Sequence, residues 1–221
     1  MKTSIIIPTL RFQNAIDCIN SIKLNTFCDY EIIVITSEEL FYKFIGIPKS
    51  FVIQDNKCIG TTYAIGLGLA EATGDYVICL SDDCLVCPYW LDHMVYFLEK
   101  QPKEKIVVGN FRVFDSTGEM GTIGYYGRPF SMFPIISRKN LDKLGCYYSK
   151  EFNAYYSDPD LGMRVYENGF VKTCQTAFIY HPYNPDLLHL KNKNKYFKQD
   201  EETFIKKWGH LGVFNGCENI N

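Results

Sequence analysis

Tyr76-Val-Ile-Cys-Leu-Ser-Asp-Asp83 is the stretch of sequence that decides the fold. Its apolar residues predict a buried strand, and Asp82 and Asp83 follow the carboxyl end of that strand directly. In open α/β sheets, ligands bind beyond the carboxyl ends of the strands. Adjacent carboxylates repel each other unless a cation compensates, so the pair predicts a divalent metal held together with substrate phosphates. A turn in which an aspartate caps the next helix is the structural alternative.

Strands and helices alternate through the first half of the chain. We predict strands over residues 4–8, 31–35, 50–54 and 75–80, and helices over residues 12–24, 61–73 and 88–99. Gly74 is expected to close the helix at 61–73 as its C-cap. This alternation predicts an α/β fold with a mostly parallel, doubly wound sheet flanked by helices.

The second half of the chain changes character. Residues 118–127 contain four glycines, and a polar helical tail runs from residue 186 to about 209. We predict strands over residues 106–115, 133–137 and 170–181, and helices over residues 139–144 and 158–168. A smaller antiparallel part of the sheet is expected in this half. Because no linker rich in Pro, Gly or Ser interrupts the chain, residues 1–221 are predicted to form a single domain.

Composition and charge exclude several classes of protein. Hydrophobic residues make up 47% of the 221 residues and charged residues 22%, which excludes a disordered chain or a coiled coil. Basic residues number 23 against 25 acidic residues, so we expect no nucleic-acid partner. A chain with this large a core does not need disulfide bonds between its nine cysteines to be stable. No apolar run approaches the ~18 residues that are needed to span a bilayer. We therefore expect a reduced, cytoplasmic protein.

A second acidic cluster lies at residues 157–161, which read Ser-Asp-Pro-Asp-Leu. Asp158 followed by proline predicts a helix N-cap with proline at the first helical position. Asp160 precedes Arg164 by four residues, a spacing that predicts an ion pair within the helix. Taken alone, this acidic cluster is interpreted as structural. His181, which ends the last predicted strand, is likewise interpreted as a hydrogen-bonded histidine at the end of that strand.

The order of these motifs resembles the family 2 glycosyltransferases of the GT-A fold over nearly the whole chain. The matching segments are residues 4–9, 60–76, 80–83, 157–161, 164–170 and 204–209. Ser81-Asp82-Asp83 stands at the family's Asp-x-Asp signature, and Asp158 stands in its Glu-Asp-x-Asp-Leu segment. Three departures are clear: residues 35–39 replace the family's Asp-Asp-Gly-Ser, Ile65 replaces the arginine of Ala-Arg-Asn, and serines replace the first acid at 81 and 157.

The resemblance implies transfer of a hexose or deoxyhexose, with inversion, from a UDP-, GDP- or dTDP-linked donor. The acceptor would be a hydroxyl of a glycan, lipid-linked or protein-linked molecule. The resemblance also implies Mn²⁺ or Mg²⁺ held by Asp83, with Asp82 beside it and His181 completing the coordination. It gives the role of general base to Asp158, with Asp160 as the rival.

The same resemblance assigns the two halves of the domain. Residues 1–100 would bind the nucleotide sugar, and residues 101–221 would bind the acceptor and carry the helical tail. The implied nucleotide-sugar-binding residues are Pro8, Thr9, Arg11, Ser37, Gly60, Ser81, Asp82 and Asp83. The implied acceptor-binding residues are Tyr125, Tyr126 and Arg164.

Two rival functions stay open. A non-catalytic module that binds sugar nucleotides or glycans on the same fold is favoured by the departures at residues 35–39 and at Ile65. A nucleotidyltransferase would need several basic residues in the loop after the first strand, where Arg11 stands alone. A run of lysines in the tail indicates at most peripheral contact with a membrane, with a solvated helix face as the alternative. These lysines are Lys191, Lys193, Lys195 and Lys198.

Overall fold

The computed structural model describes residues 1–125, 127–182 and 186–209, together with the backbone of residues 218–220. The strands are β1 (Lys2–Pro8), β2 (Asp29–Thr36), β3 (Ser50–Gln54), β4 (Tyr76–Cys79), β5 (Leu85–Val86), β6 (Ile106–Asp115), β7 (Gly118–Glu119), β8 (Thr122–Tyr125), β9 (Arg128–Pro129), β10 (Ile135–Ser137), β11 (Gly169–Tyr180) and β12 (Glu218–Ile220). The helices are α1 (Phe12–Asn25), α2 (Glu38–Phe44), α3 (Thr61–Glu71), α4 (Trp90–Glu99), α5 (Arg138–Leu144), α6 (Ser157–Val165) and α7 (Leu187–Trp208).

Among the described residues, nine strands form one mixed sheet in the order β3-β2-β1-β4-β10-β6-β11-β5, with β7 paired to β6. The strands β3, β2, β1 and β4 are parallel to one another. β10 is inserted antiparallel between β4 and β6, and β11 runs parallel to β6. A second, antiparallel sheet has the order β12-β8-β9. The predicted fold class, a mostly parallel sheet with a smaller antiparallel part, is confirmed.

β1 lies inside the sheet because its side chains are apolar on both faces. Ile5 and Ile7 pack in the cluster that contains the buried faces of α1 and α4, whereas Ile6 packs with α3 and α6 on the other face. All three isoleucines are completely buried. Burial of each such side chain contributes about 1.5–3 kcal/mol, and a continuous apolar run is typical of parallel strands covered on both faces.

Gly74 does not cap α3, so that prediction is wrong. The helix ends at Glu71 and is followed by Ala72. A Cβ atom on Gly74 would lie 2.6 Å from the backbone nitrogen of Ser4. The hydroxyl of Ser4 in turn accepts a 2.8 Å hydrogen bond from the backbone N–H of Gly74. The glycine is therefore needed for the close approach of this turn to β1.

The C-terminal helix α7 is the longest helix, and most of its residues are polar. None of the helices in the described ranges combines the length and the apolar character that crossing a membrane requires. The buried residues of α7 are Tyr196, Asp200 and Phe204, and they hold one side of this helix against the rest of the fold. The other contacts of this helix shape the cleft described below.

Candidate active site

A cleft of about 600 Å³ opens beyond the carboxyl ends of β1 and β4 and is bordered by α3, α6 and α7. This is the edge at which the sequence predicts a ligand site. The predicted site residues that line the cleft together are Pro8, Thr9, Arg11, Gly60, Ser81, Asp82, Asp83, Asp158 and His181. Predicted residues that do not line it are Ser37, Tyr125, Asp160 and Arg164, and Tyr126 lies outside the described residues.

Arg11 joins three carboxylates at the floor of the cleft. Its guanidinium pairs with both oxygens of Asp82, and it donates to Asp83 at 2.9 Å and to Asp186 at 3.1 Å. Thr9 Oγ1 donates a further 2.7 Å hydrogen bond to Asp82. Burial raises the pKa of Asp82, although Arg11 and Thr9 act in the opposite direction. Asp82 therefore holds Arg11 in place, and its two oxygens are already occupied.

Asp83 and His181 form the pair that fits a divalent metal. The Oδ1 atom of Asp83 lies 3.2 Å from the Nε2 atom of His181, and both Oδ1 and the Nδ1 atom of His181 are buried without a hydrogen-bond partner among the described residues. Burial opposes the ionisation of Asp83, but His181, Ser81 and Arg11 outweigh it and hold the pKa of Asp83 well below its usual range. An ionised carboxylate is a ligand that suits Mn²⁺ and Mg²⁺, and the imidazole adds a nitrogen ligand of the kind that transition metals bind.

The sulfur of Cys84 lies close to the same pair. Ligand atoms of Asp83, Cys84 and His181 are all within 4.8 Å of one another. Cys84 is completely buried, and burial raises the pKa of its thiol well above the ordinary value. The thiol is therefore neutral, and the oxygen and nitrogen donors define the chemistry of this site.

Asp158 lies on the α6 side of the cleft, and burial raises its pKa to about 7. The N-cap of α6 is Tyr156, with φ at 60° in the left-handed region, so the prediction that Asp158 caps the helix is wrong. Asp158 instead sits in the first turn. It also borders a second cavity of about 30 Å³, which is lined mainly by apolar side chains such as Met120 and Phe130. A carboxyl group with this pKa exchanges a proton near neutral pH.

Asp160, the rival candidate, is turned into the protein interior. It is completely buried and pairs with Arg164 at 2.8 Å, which confirms the predicted ion pair. Its other oxygen lies 2.9 Å from both Trp208 Nε1 and Lys207 Nζ, at the end of α7. The remaining guanidinium nitrogens of Arg164 donate to the carbonyls of Cys146 and Tyr147. Asp160 and Arg164 thus join α6 to α7 and the preceding loop.

Two buried aspartates that sequence reasoning missed shape the walls of the cleft. Asp55, at the end of β3, accepts 2.9 Å hydrogen bonds from the backbone N–H groups of Lys57 and Cys58. Asp200, on α7, accepts hydrogen bonds from the backbone N–H groups of residues 153–155. The loop that it holds leads into α6 and Asp158. Only the strand end at Asp55 carried a local signal, because the partners of Asp200 lie at least 45 residues away.

The comparisons with known proteins agree with this geometry. Residues 4–157 match the family model described as Glycosyl transferase family 2. The chain belongs to family 2 of the glycosyltransferases. This glycosyltransferase is 33% identical over 113 residues to EpsE of Bacillus subtilis (strain 168), a protein that has been assigned as a glycosyltransferase. That alignment covers 46% of this chain and 41% of EpsE, so it spans less than half of either protein.

Solved structures show the same fold as this glycosyltransferase. The S. aureus TarS fragment 1-349 in complex with UDP-GlcNAc is 15% identical, with a TM-score of 0.70 over 94% of this chain and 67% of that one. GalNAc-T7 with UDP, GalNAc and Mn²⁺ is 15% identical, with a TM-score of 0.72 over 92% of this chain and 47% of that one. At these identities the likeness establishes the GT-A architecture of the glycosyltransferase.

Proposed function

We propose that this glycosyltransferase moves a sugar from a nucleotide diphosphate sugar to an acceptor hydroxyl with inversion, using a divalent metal and Asp158 as the general base. One observation carries the proposal. Asp158, with a pKa of about 7, lines the same cleft as the Asp83–His181 pair. A proton acceptor and a cation site within one cleft are what transfer of a sugar from a diphosphate requires.

On the donor side, Asp83 and His181 are the residues that would hold Mn²⁺ or Mg²⁺. When bound, the ion would act as a Lewis acid on the departing diphosphate. Asp82 and Thr9 hold Arg11, whose guanidinium faces the cleft and would bind a phosphate oxygen. Pro8, Gly60 and the remaining strand-end residues would contact the nucleoside.

On the acceptor side, the hydroxyl oxygen forms a bond to the anomeric carbon while the bond from that carbon to the diphosphate oxygen breaks. The hydroxyl proton passes to a carboxylate oxygen of Asp158, and the nucleoside diphosphate leaves with the bonding electron pair. A hydroxyl has a high pKa, so the proton is removed as the new bond forms, a contribution of typically 10²–10⁴ in rate. A single displacement of this kind inverts the anomeric carbon.

The donor and acceptor are proposed only as classes. UDP is the first choice of nucleotide because TarS and GalNAc-T7 have been solved with UDP-GlcNAc and UDP, with GDP and dTDP as alternatives. The acceptor would be a glycan, lipid-linked or protein-linked hydroxyl, contacted by the segment around Tyr125 and Tyr126. We propose that the reaction takes place in the cytoplasm, since the eight cysteines of the described residues are all free thiols.

A non-catalytic module that binds sugar nucleotides is the second candidate. It is favoured by Ile65, a buried apolar residue that lines the cleft where the family has an arginine. It is also favoured by the absence of the Asp-Asp-Gly-Ser segment after β2. Both functions predict binding of a nucleoside diphosphate, but only the enzyme would turn over its donor.

A panel of UDP-, GDP- and dTDP-sugars with Mn²⁺ separates these candidates. We expect one nucleotide class to raise the melting temperature and to be hydrolysed slowly, with release of nucleoside diphosphate detected by chromatography. EDTA and the Asp83→Asn variant should both abolish the hydrolysis. Binding of a donor without turnover under any of these conditions, and with acceptor sugars added, would leave the binding module as the function.

A further inference from the structure

One face of α7 lines the cleft and carries two lysines. The cleft-lining residues of this helix include Leu188, Lys191, Asn192 and Lys195, which are spaced at i, i+3, i+4 and i+7 and therefore share one face. Lys193 and Lys198 belong to the same basic run but do not line the cleft. All four lysines are exposed, and Lys191 and Lys195 are the two of this run that also line the cleft.

The two lysines that line the cleft form no ion pair with any of the described residues, and Lys195 lies 4.6 Å from the ring centre of Tyr196. Two of the acids that follow on α7 have other partners, because Asp200 binds residues 153–155 and Glu201 accepts from the hydroxyl of Tyr156. Lys191 and Lys195 are four residues apart, and like charges at this spacing repel each other. An anion between them would remove that repulsion.

The rest of the cleft is short of positive charge. Ile65 occupies the position of the family's arginine in the third helix, and it lines the cleft as a buried apolar residue. The guanidinium of Arg11 is shared among three carboxylates. A diphosphate brings at least two negative charges, and lysine side chains on the cleft would add to the charge that a divalent metal supplies.

We propose that Lys191 and Lys195 bind the phosphates of the donor, in place of the missing arginine on α3. The inference rests on the proposed function, and it names the group that the cleft face of α7 recognises. Asp186, the N-cap of α7, is joined through Arg11 to Asp83 at the metal-binding pair. Lys191 lies five residues further along, about 7.5 Å at 1.5 Å per residue, and it lines the same cleft as Asp83.

A phosphate on the acceptor is the other source of the same chemistry. The short path from Lys191 through Asp186 and Arg11 to Asp83 favours the donor, because the diphosphate must lie at the metal site for the metal to act on it. If the lysines bind the donor phosphates, replacing them lowers the affinity for the nucleotide. If they bind an acceptor phosphate, replacing them lowers the affinity for the acceptor instead. Equilibrium binding of a nucleoside diphosphate reports on the donor site, and pyrophosphate, which lacks both the base and the sugar, measures the part that the phosphates contribute.

The test compares Lys191→Gln, Lys195→Gln and the double variant with the matched controls Lys193→Gln and Lys198→Gln. Calorimetry with Mg²⁺ measures the dissociation constants of UDP, GDP, dTDP and inorganic pyrophosphate, with uridine as the ligand without phosphate. We expect the double variant to weaken binding of pyrophosphate and of the preferred nucleotide at least about tenfold, the effect of losing charge-assisted hydrogen bonds. Uridine affinity and both control variants should stay within about twofold of wild type.

Several results would overturn the inference. One is wild-type affinity of the double variant for pyrophosphate and nucleotide. Another is unchanged nucleotide affinity with a raised KM for a phosphate-bearing acceptor, which would assign the lysines to the acceptor. A wild-type protein that binds neither nucleotide nor pyrophosphate also rejects it. Because the affinities for nucleotide and pyrophosphate are measured at equilibrium without turnover, a protein that binds but does not transfer can still support the role of the lysines while the catalytic proposal fails.

Discussion

Arg11 and Asp186 are separated by 175 positions in the chain, and their side chains form an ion pair at 3.1 Å. Asp186 also caps α7 by accepting a hydrogen bond from the backbone N–H of His189. The pair therefore ties the end of β1 to the start of the last helix. Since the same guanidinium holds Asp82 and Asp83, the acidic floor and the α7 wall of the cleft share one cation.

Removing Arg11 should destabilise the fold as well as the site. Asp82 is 4% exposed, so Arg11→Ala leaves a buried carboxylate without its main partner. Breaking a buried pair in this way costs about 3–5 kcal/mol, and somewhat less here because Arg11 keeps some exposure. Chemical denaturation should show the loss, and adding Asp82→Asn should restore most of it. Equal stability of Arg11→Ala and wild type would contradict the role of the ion pair.

Asp160 should behave as a structural residue. Asp160→Asn removes the charge shared by Arg164, Lys207 and Trp208 in the interior. We expect a loss of about 2–4 kcal/mol in the free energy of unfolding, because two cationic groups lose their buried partner. Nucleoside diphosphate affinity should stay unchanged at temperatures where the variant is folded. A folded and stable Asp160→Asn variant that has lost transfer would restore Asp160 as the candidate base.

Mn²⁺ binding should depend on Asp83 and His181. Asp83→Asn and His181→Ala each remove one member of the half-buried pair. Each should therefore weaken Mn²⁺ binding at least about tenfold when it is measured by electron paramagnetic resonance. Asp186→Asn is the matched control, since Asp186 also pairs with Arg11 but lies outside the cluster of ligand atoms. If the control loses as much affinity as Asp83→Asn, the metal is held elsewhere.

Much of the fold is predictable because its signals are local. Local residue patterns predict β1, β3 and β6, and the structure has β3 and β6 with the predicted limits. Helix α2 was not predicted, although Ser37 precedes it and Glu38 and Glu39 occupy its first turn, where acidic side chains stabilise a helix.

The site is less predictable because its decisive contacts are distant in sequence. The positions of Asp83 and Asp158 follow from motifs, but their different pKa values depend on burial and on His181 and Arg11. Helix α6 begins one residue earlier than predicted because Tyr156 adopts a left-handed conformation. A tyrosine at that position does not predict such a conformation. That α7 folds over the cleft is a matter of tertiary packing.

Ionisation of Asp158 should make stability depend on pH. Its pKa is about 7 in the folded protein and close to 4 in the unfolded chain, so the folded state holds the proton more tightly between these values. Stability is therefore lost as the pH rises from 4 to 7. Asp158→Asn removes this loss, and we expect it to be more stable than wild type at pH 8 by on the order of 1–3 kcal/mol, with a smaller difference at pH 4. A variant that is less stable than wild type at pH 8 would mean that a hydrogen-bond or ion-pair partner stabilises the ionised carboxylate of Asp158.

The pH dependence of kcat/KM for sugar transfer tests the central claim most directly. If Asp158 is the general base, the wild-type rate should rise with pH along a limb with a midpoint near 7, which reports the free enzyme. Asp158→Asn should keep the donor affinity, lose at least about 10² in rate and show no such limb. Transfer by Asp158→Asn at close to the wild-type rate, with the same limb, would show that another group removes the proton.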